Sequence, residues 1–466
     1  MFKNFFKRKD ISSELNKKSL LERNLSLVSL ILLGIGAIVG TGIFVSPGII
    51  AGVYAGPATI LSFLVAAFVC MLVALCYAEF SSTIPIGGSA YVYAYSTFGQ
   101  FIAWLVGWSI IVYSMISTAV VSVAWSSYFK NLFNLNFRTR FDVIATILIL
   151  LLMGFLLRGM KDSAKLNNTM VFVKFFTIMF FVGIGIFFIK KENFFPFIPK
   201  VIIDNSGIKH YGLLGIISGA ASSFYSYLGF EVVATTSEEV KNPKRDVSLG
   251  IIISLAAAAI LYILMSTVLV GIVNYKDLAD PSIQSYSAAY AMKIAGKAWA
   301  SNIISVGAIA GMTTVALLNL YAGTRLVLAI SRDGLLPRKL SKLSEKNKVP
   351  VRATIFVAIV TVIAANTLSL DSAIELVSSC ALFVFAIVSI GVIFLRYDKQ
   401  FKDLEKSFKV PMFPVIPILA FASCILLMAQ FKKFTWIIFL ICELIGILYY
   451  LFIGQRTSQL DQKNNN

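Results

Sequence analysis

The chain has 466 residues, 58% of them hydrophobic and only 14% charged, with a mean hydropathy of +0.83. A soluble domain carries about 25% charged residues, so this composition belongs to a membrane protein. The net charge of +18 does not mark a nucleic-acid binder, because the basic residues lie between apolar stretches and form no single soluble face.

Residues 1–25 read as a polar, basic tail. It is no cleavable signal, since the first apolar run is a full span with no small-residue cleavage pattern after it. Twelve apolar spans follow, at roughly 26–50, 57–83, 100–129, 141–157, 165–190, 212–236, 247–273, 298–329, 350–368, 373–396, 413–431 and 434–453. Each is long enough for a hydrocarbon core of roughly 30 Å, so the expected fold is an all-α integral membrane protein in the lipid bilayer. An even number of spans puts both termini on one side. Lys and Arg concentrate in the tail (Lys3, Lys7, Arg8, Lys9, Lys17, Lys18, Arg23) and in the loop from Arg332 to Arg352. That bias predicts cytoplasmic termini.

Two spans differ from the rest. The first reads GIGAIVGTGIFVSPG (34–48) and the sixth GIISGAASSFYSYLGFE (215–231). Each glycine weakens a helix by about 1 kcal/mol, and broken backbone survives in a membrane only where it is buried or lines a cavity. Close packing through small residues is the competing reading. The two spans hold the same rank in consecutive sets of five, and such paired interruptions point to a transport site at the bilayer midplane. A five-span repeat starts its second copy from the opposite side. The expected organisation is therefore a first repeat at 26–190, an inverted second repeat at 212–396, two further helices at 413–453 and a polar tail at 454–466.

Four stretches carry a family resemblance: GAIVGTGIFVSPG (36–48), YAEFSSTIPIGGSAYVYAY (77–95), FYSYLGFEVVATTSEEVKNPKRDVSLGI (224–251) and GMTTVALLNLYAGTRLVLAISRDGLLP (311–337). In this order and spacing they resemble the amino acid–polyamine–organocation superfamily, in the branch of cationic amino acid transporters and their bacterial relatives. The resemblance runs from about residue 26 to 455. It implies a five-plus-five inverted-repeat fold, alternating access and secondary transport of an L-amino acid, with protons as the coupling ion in many relatives.

An amino acid presents a carboxylate and an ammonium. Free N–H groups at the start of the outer half of span one, from Gly40, Thr41 and Gly42, suit the carboxylate. By resemblance, acceptors for the ammonium are the carbonyls of Ile38, Tyr225, Ser226 and Leu228, beside Gly229 at the second break. Tyr225 takes the place of the family's aromatic over the substrate, and Met312 faces the substrate side chain. Each of these two is otherwise ordinary core packing.

Lys174 lies deep in span five, within MVFVKFFTIMFF (170–181). An intramembrane lysine is a functional hypothesis by default. Its neighbour is expected around Gly34 to Gly36, and by resemblance it replaces the sodium ion of sodium-coupled relatives. A lysine held away from water exchanges its proton readily. The competing reading is a structural cation bonded to span-one carbonyls.

Other charges are less telling. Glu79 closes span two as an inner gate or a structural pair. Glu231 senses a cationic side chain, pairs with a lysine or holds helix geometry. Glu238 and Glu239 read as solvated ion pairs, and Arg325 with SRDG (331–334) as the inner end of span eight. Glu443 finds no account, and His210 sits in an outer loop. Tyr113 stands where the branch often carries a glutamate, which favours a small neutral substrate over Lys, Arg or ornithine. Cys70, Cys76, Cys380, Cys424 and Cys442 lie inside apolar spans without metal spacing, so no metal or cofactor is expected. One histidine and scattered acids do not make an enzyme, and nothing resembles a channel filter.

Overall fold

The computed structural model describes residues 5, 7–8, 25–86, 89–135, 141–158, 163–203, 209–345, 349–402, 404 and 406–455. Most of the two expected tails lies outside these residues, including Lys3, Lys9, Lys17, Lys18 and Arg23, as does the side chain of Glu238.

Among the described residues the regular structure is helical, apart from a two-stranded antiparallel pair, Ile202–Ile203 with Lys209–His210. In chain order the α-helices of six residues or more are α1 (Leu27–Ile38), α2 (Thr41–Ile49), α3 (Thr59–Thr83), α4 (Ser89–Thr97), α5 (Gln100–Leu132), α6 (Val143–Arg158), α7 (Ser163–Gly185) and α8 (Gly212–Ser223). They continue with α9 (Phe230–Thr235), α10 (Pro243–Ile272), α11 (Ser287–Ile294), α12 (Ala298–Arg332), α13 (Val351–Thr367), α14 (Leu370–Tyr397), α15 (Val415–Met428) and α16 (Lys433–Tyr449). Helices occupy every expected apolar stretch. Among the described residues eight helical runs are long and apolar enough to cross a membrane, and four apolar helices are shorter. Helices α4 and α11 were not expected.

Local chemistry sets several boundaries. Ser26 caps α1 by accepting from Ser29 N at 3.3 Å, and Ser369 caps α14 by accepting from Ser372 N. Pro243 opens α10, where a missing N–H costs nothing. The helical run from Thr41 to Thr83 breaks at Gly56, whose φ of +61° favours glycine, followed by Pro57. Large apolar side chains such as Phe68, Phe172, Phe176, Ile260 and Ile437 face outward. On a soluble protein they would be a liability; on helices of this length they meet hydrocarbon.

Polar clamps mark the two ends of α14. At its last turn, Arg396 grips the fully buried Glu79 of α3 with Nε on Oε1 and Nη2 on Oε2, both at 2.7 Å, and Val410 N donates to the same carboxylate at 2.7 Å. At its first turns, Tyr54 donates to Glu375 (2.8 Å) and Asp371 (3.0 Å), while Lys432 pairs with both acids. Burial alone would lower the Lys432 pKa; Asp371 and Glu375 outweigh it and raise the value.

The start of α5 is capped from a distance. Helix-opening N–H groups have no intrahelical partner, and Gly99 offers no side chain. Gln100 N instead donates to Lys7 O (3.1 Å) and Phe101 N to Phe5 O (3.3 Å). The Phe5 ring packs on Phe101 and edge-on to Tyr450, and Arg8 pairs with Asp398. The tail's other end is fastened too: Leu25 N donates to Glu239 O (2.9 Å) and Lys241 N to Leu25 O (3.0 Å).

Candidate functional site at two helix breaks

Each glycine-rich stretch contains a break. After α1, Val39 is extended and Gly40 leaves the helical region before α2 begins at Thr41. After α8, a tight turn over Phe224–Tyr227 leads through extended Leu228 to Gly229, at φ +121°, and then α9. No other residue type adopts that φ without strain.

The breaks touch. A Cβ on Gly229 would stand 2.7 Å from Ala37 C and O and 2.9 Å from Ile38 N. One on Gly42 would meet Ser226 Cα at 2.7 Å. The two irregular segments therefore press backbone on backbone, and glycine is what permits it. A residue that composition did not single out ties them together: Tyr262 of α10 points its hydroxyl at Ser226 O (2.6 Å) and Ile38 O (3.1 Å). Both carbonyls were expected to be free acceptors, and both lie against this hydroxyl. Each keeps a second lone pair.

Unspent polarity surrounds the contact. Ser226 Oγ and Ser46 Oγ are buried without partners, and Thr41 Oγ1, which faces the Tyr225 hydroxyl, makes no hydrogen bond of normal geometry. The Tyr225 hydroxyl also neighbours Ser117, whose Oγ accepts from Asn319 Nδ2 at 2.9 Å. Met312 is fully buried on α12. Buried polar atoms are normally paired, so the Ser226 and Thr41 hydroxyls at the two breaks are polar atoms with hydrogen-bonding capacity to spare. The opening turn of α2 offers N–H groups and a positive dipole end to an anion, and the carbonyls that close α1 and α8 offer acceptors to a cation.

Lys174 sits on α7, 1% exposed, and donates to Gly36 O at 2.9 Å, in the neighbourhood expected. No acid pairs with it among the described residues. Glu231 accepts from Gly229 N (2.9 Å) and Tyr113 OH (3.2 Å). Of its three readings, holding helix geometry is the one these bonds describe: the carboxylate closes the first turn of α9 on itself. Glu79 is structurally paired, as above. Glu443 receives a hydrogen bond from Ser109 at 2.6 Å, with its other oxygen buried and unmatched, in the seam where Trp104 and Trp108 donate to carbonyls of α16. His210 contacts Val53 O at 2.7 Å. Among the described residues no group of three or more His, Cys, Asp or Glu is placed to hold a metal.

The family profile described as "Amino acid permease" matches residues 25–457. The chain is 40% identical to the methylthioribose transporter of Bacillus subtilis, over 98% of this chain and 99% of the relative. It is 36% identical to the branched-chain amino acid permease BcaP of the same organism, over 97% of each. Human cationic amino acid transporter 4 is 36% identical over 82% of this chain and 61% of its own length.

Proposed function

Because the chain belongs to the amino acid permease family, we propose that it is a secondary carrier of L-amino acids in the cell membrane, working by proton symport and alternating access on small neutral substrates. The single observation that carries the reading is the meeting of two broken helices, with unmatched hydroxyls, beside a buried lysine bonded to the first of them. The proposal includes twelve spans, with α1 and α2 forming the first and α8 and α9 the sixth, as two inverted five-span repeats and two further helices. Both termini lie in the cytoplasm.

The substrate carboxylate takes the N–H groups of Gly40, Thr41 and Gly42 and the hydroxyls of Thr41 and Ser226. The ammonium takes the carbonyls of Ile38, Tyr225, Ser226 and Leu228, with Gly229 allowing the approach. Tyr225 and Met312 cover the side chain. Tyr113, and Glu231 already engaged by two donors, leave no free carboxylate for a cationic side chain; Glu79 braces the inner end. Lys174, protonated, holds Gly36; losing its proton frees α1 to move.

The test is uptake of labelled alanine into proteoliposomes under an inward proton gradient, with unlabelled competitors. Small neutral amino acids should compete, and collapse of the gradient should abolish accumulation. Lys174→Gln should remove the pH response; wild-type accumulation in that variant would exclude Lys174 as the coupling group. Competition by arginine and lysine alone, or a need for internal amino acid, would mean a cationic carrier or an exchanger. A second reading has its own support in the 40% identity to a methylthioribose transporter: the unmatched hydroxyls also suit a sugar. Displacement of alanine by methylthioribose and by no amino acid would favour it.

A further inference from the structure

Lys174 reaches Gly36 across the face of α12, and that face is notched. At Gly307 and Gly311, about one turn apart, α12 presents no side chain to α7. A methyl at Gly311 would stand 2.9 Å from Lys174 Cγ, 3.3 Å from Cε and 3.5 Å from Cδ. One at Gly307 would run into the Thr177 side chain. Lys174 and Thr177 are themselves neighbours on α7, so two missing side chains on one helix receive two present ones on the other. One turn further, Val315 leans on the first break, where a Cβ on Gly40 would meet its Cγ2 at 2.9 Å.

Small residues often serve only to bring helix backbones together. Here the atoms filling the notch are methylenes of the lysine, not backbone of α7. The small cavity beside it is lined by apolar side chains: Ile35 of α1, Val39 just after α1, Leu261 of α10, and Phe175 and Ile178 of α7. No ionisable side chain faces it among the described residues, and Gly36 O is the acceptor it has.

We propose that Gly311 is a positioning residue for proton coupling: its missing side chain lets the Lys174 stem lie against α12 and thereby sets the ammonium on the Gly36 carbonyl. The inference rests on Lys174 being the coupling group. Crowding at Gly311 displaces the ammonium, which costs the protonated form a charge-assisted hydrogen bond and the neutral amine only a weaker one. The protonated state is then harder to reach.

The experiment measures gradient-driven uptake of labelled alanine, or of whichever competitor displaces it, against pH in proteoliposomes of wild type, Gly311→Ala, Lys174→Gln and the double variant Gly307→Ala/Thr177→Ala. Gly311→Ala should move the half-maximal pH down by about one unit, a tenfold weaker hold on the proton. The double variant refills the neighbouring notch without touching Lys174 and should keep the wild-type profile. If Gly311→Ala is not recovered monodisperse, Gly311→Ala/Leu261→Ala, which opens space on the lysine's other side, should show the same acid shift. A wild-type profile in the Gly311 variants beside a flat one in Lys174→Gln would overturn the positioning role. An unchanged profile in Lys174→Gln would instead sink the coupling reading beneath it.

Discussion

Tyr262 has one hydroxyl proton and two carbonyls within reach, one on each broken helix, and a hydroxyl donates to one acceptor at a time. In the proposed cycle it is a tie that shifts its grip from one break to the other. Tyr262→Phe should lower the melting temperature in detergent by the equivalent of about 1 kcal/mol and raise the KM for uptake several-fold with little change in protein yield. Unchanged KM would make the hydroxyl a packing detail. Nothing in ILYILM (260–265) distinguishes this tyrosine from apolar filler, because its partners are backbone atoms that no residue pattern displays. Lys174 was legible for the opposite reason: a cation in an apolar run demands an explanation from its own helix alone. The sequence pointed to span one around Gly34 to Gly36 as its neighbour, whereas Gly36 O as the acceptor and the notch at Gly311 required coordinates.

At the level of elements, the breaks in α1–α2 and α8–α9 were readable because glycine density reports directly on backbone freedom. Their contact was not, since Gly42 meeting Ser226 is a matter of tertiary placement. Gly42→Ala already puts a carbon 2.7 Å from Ser226 Cα, and Gly42→Val adds two more. Uptake should fall at least tenfold in the alanine variant and vanish in the valine variant, both remaining monodisperse by size-exclusion chromatography. Wild-type affinity in both would move the site elsewhere. The short helices α4 and α11 escaped notice because each is under ten residues, too brief for a periodic signal. Yet α11 braces α2: Ser287 Oγ donates to Phe44 O at 3.2 Å, and a Cβ on Gly48 would collide with Ser287 at 2.5 Å.

Across the whole molecule, α14 is clamped at both ends, by Glu79 and Arg396 at one and by Tyr54, Asp371, Glu375 and Lys432 at the other. The first pair is bidentate and buried on the acid's side, so breaking it leaves an uncompensated carboxylate. Arg396→Ala should destabilise by about 3–5 kcal/mol, read as lost yield and melting temperature. Glu79→Gln/Arg396→Met should recover most of the loss, and equal loss in both proteins would give the pair a role beyond charge compensation. The sequence placed Glu79 near a membrane face but supplied no partner, since Arg396 is 317 residues away. Apolar length carried the larger outline, a chain of membrane-length helices.

The cap on α5 also fixes a moment in the life of the chain. Phe5, whose carbonyl serves Phe101 N, rests on Tyr450, and a ribosome makes residue 5 long before residue 450. The ring contact therefore forms only after the residue following α16 has been made, although the backbone cap on α5 needs residues 5 and 7 alone. A chain arrested before Tyr450 would leave the Phe5 ring without its edge-on partner, so the contact is one that only a chain extended past that residue can make.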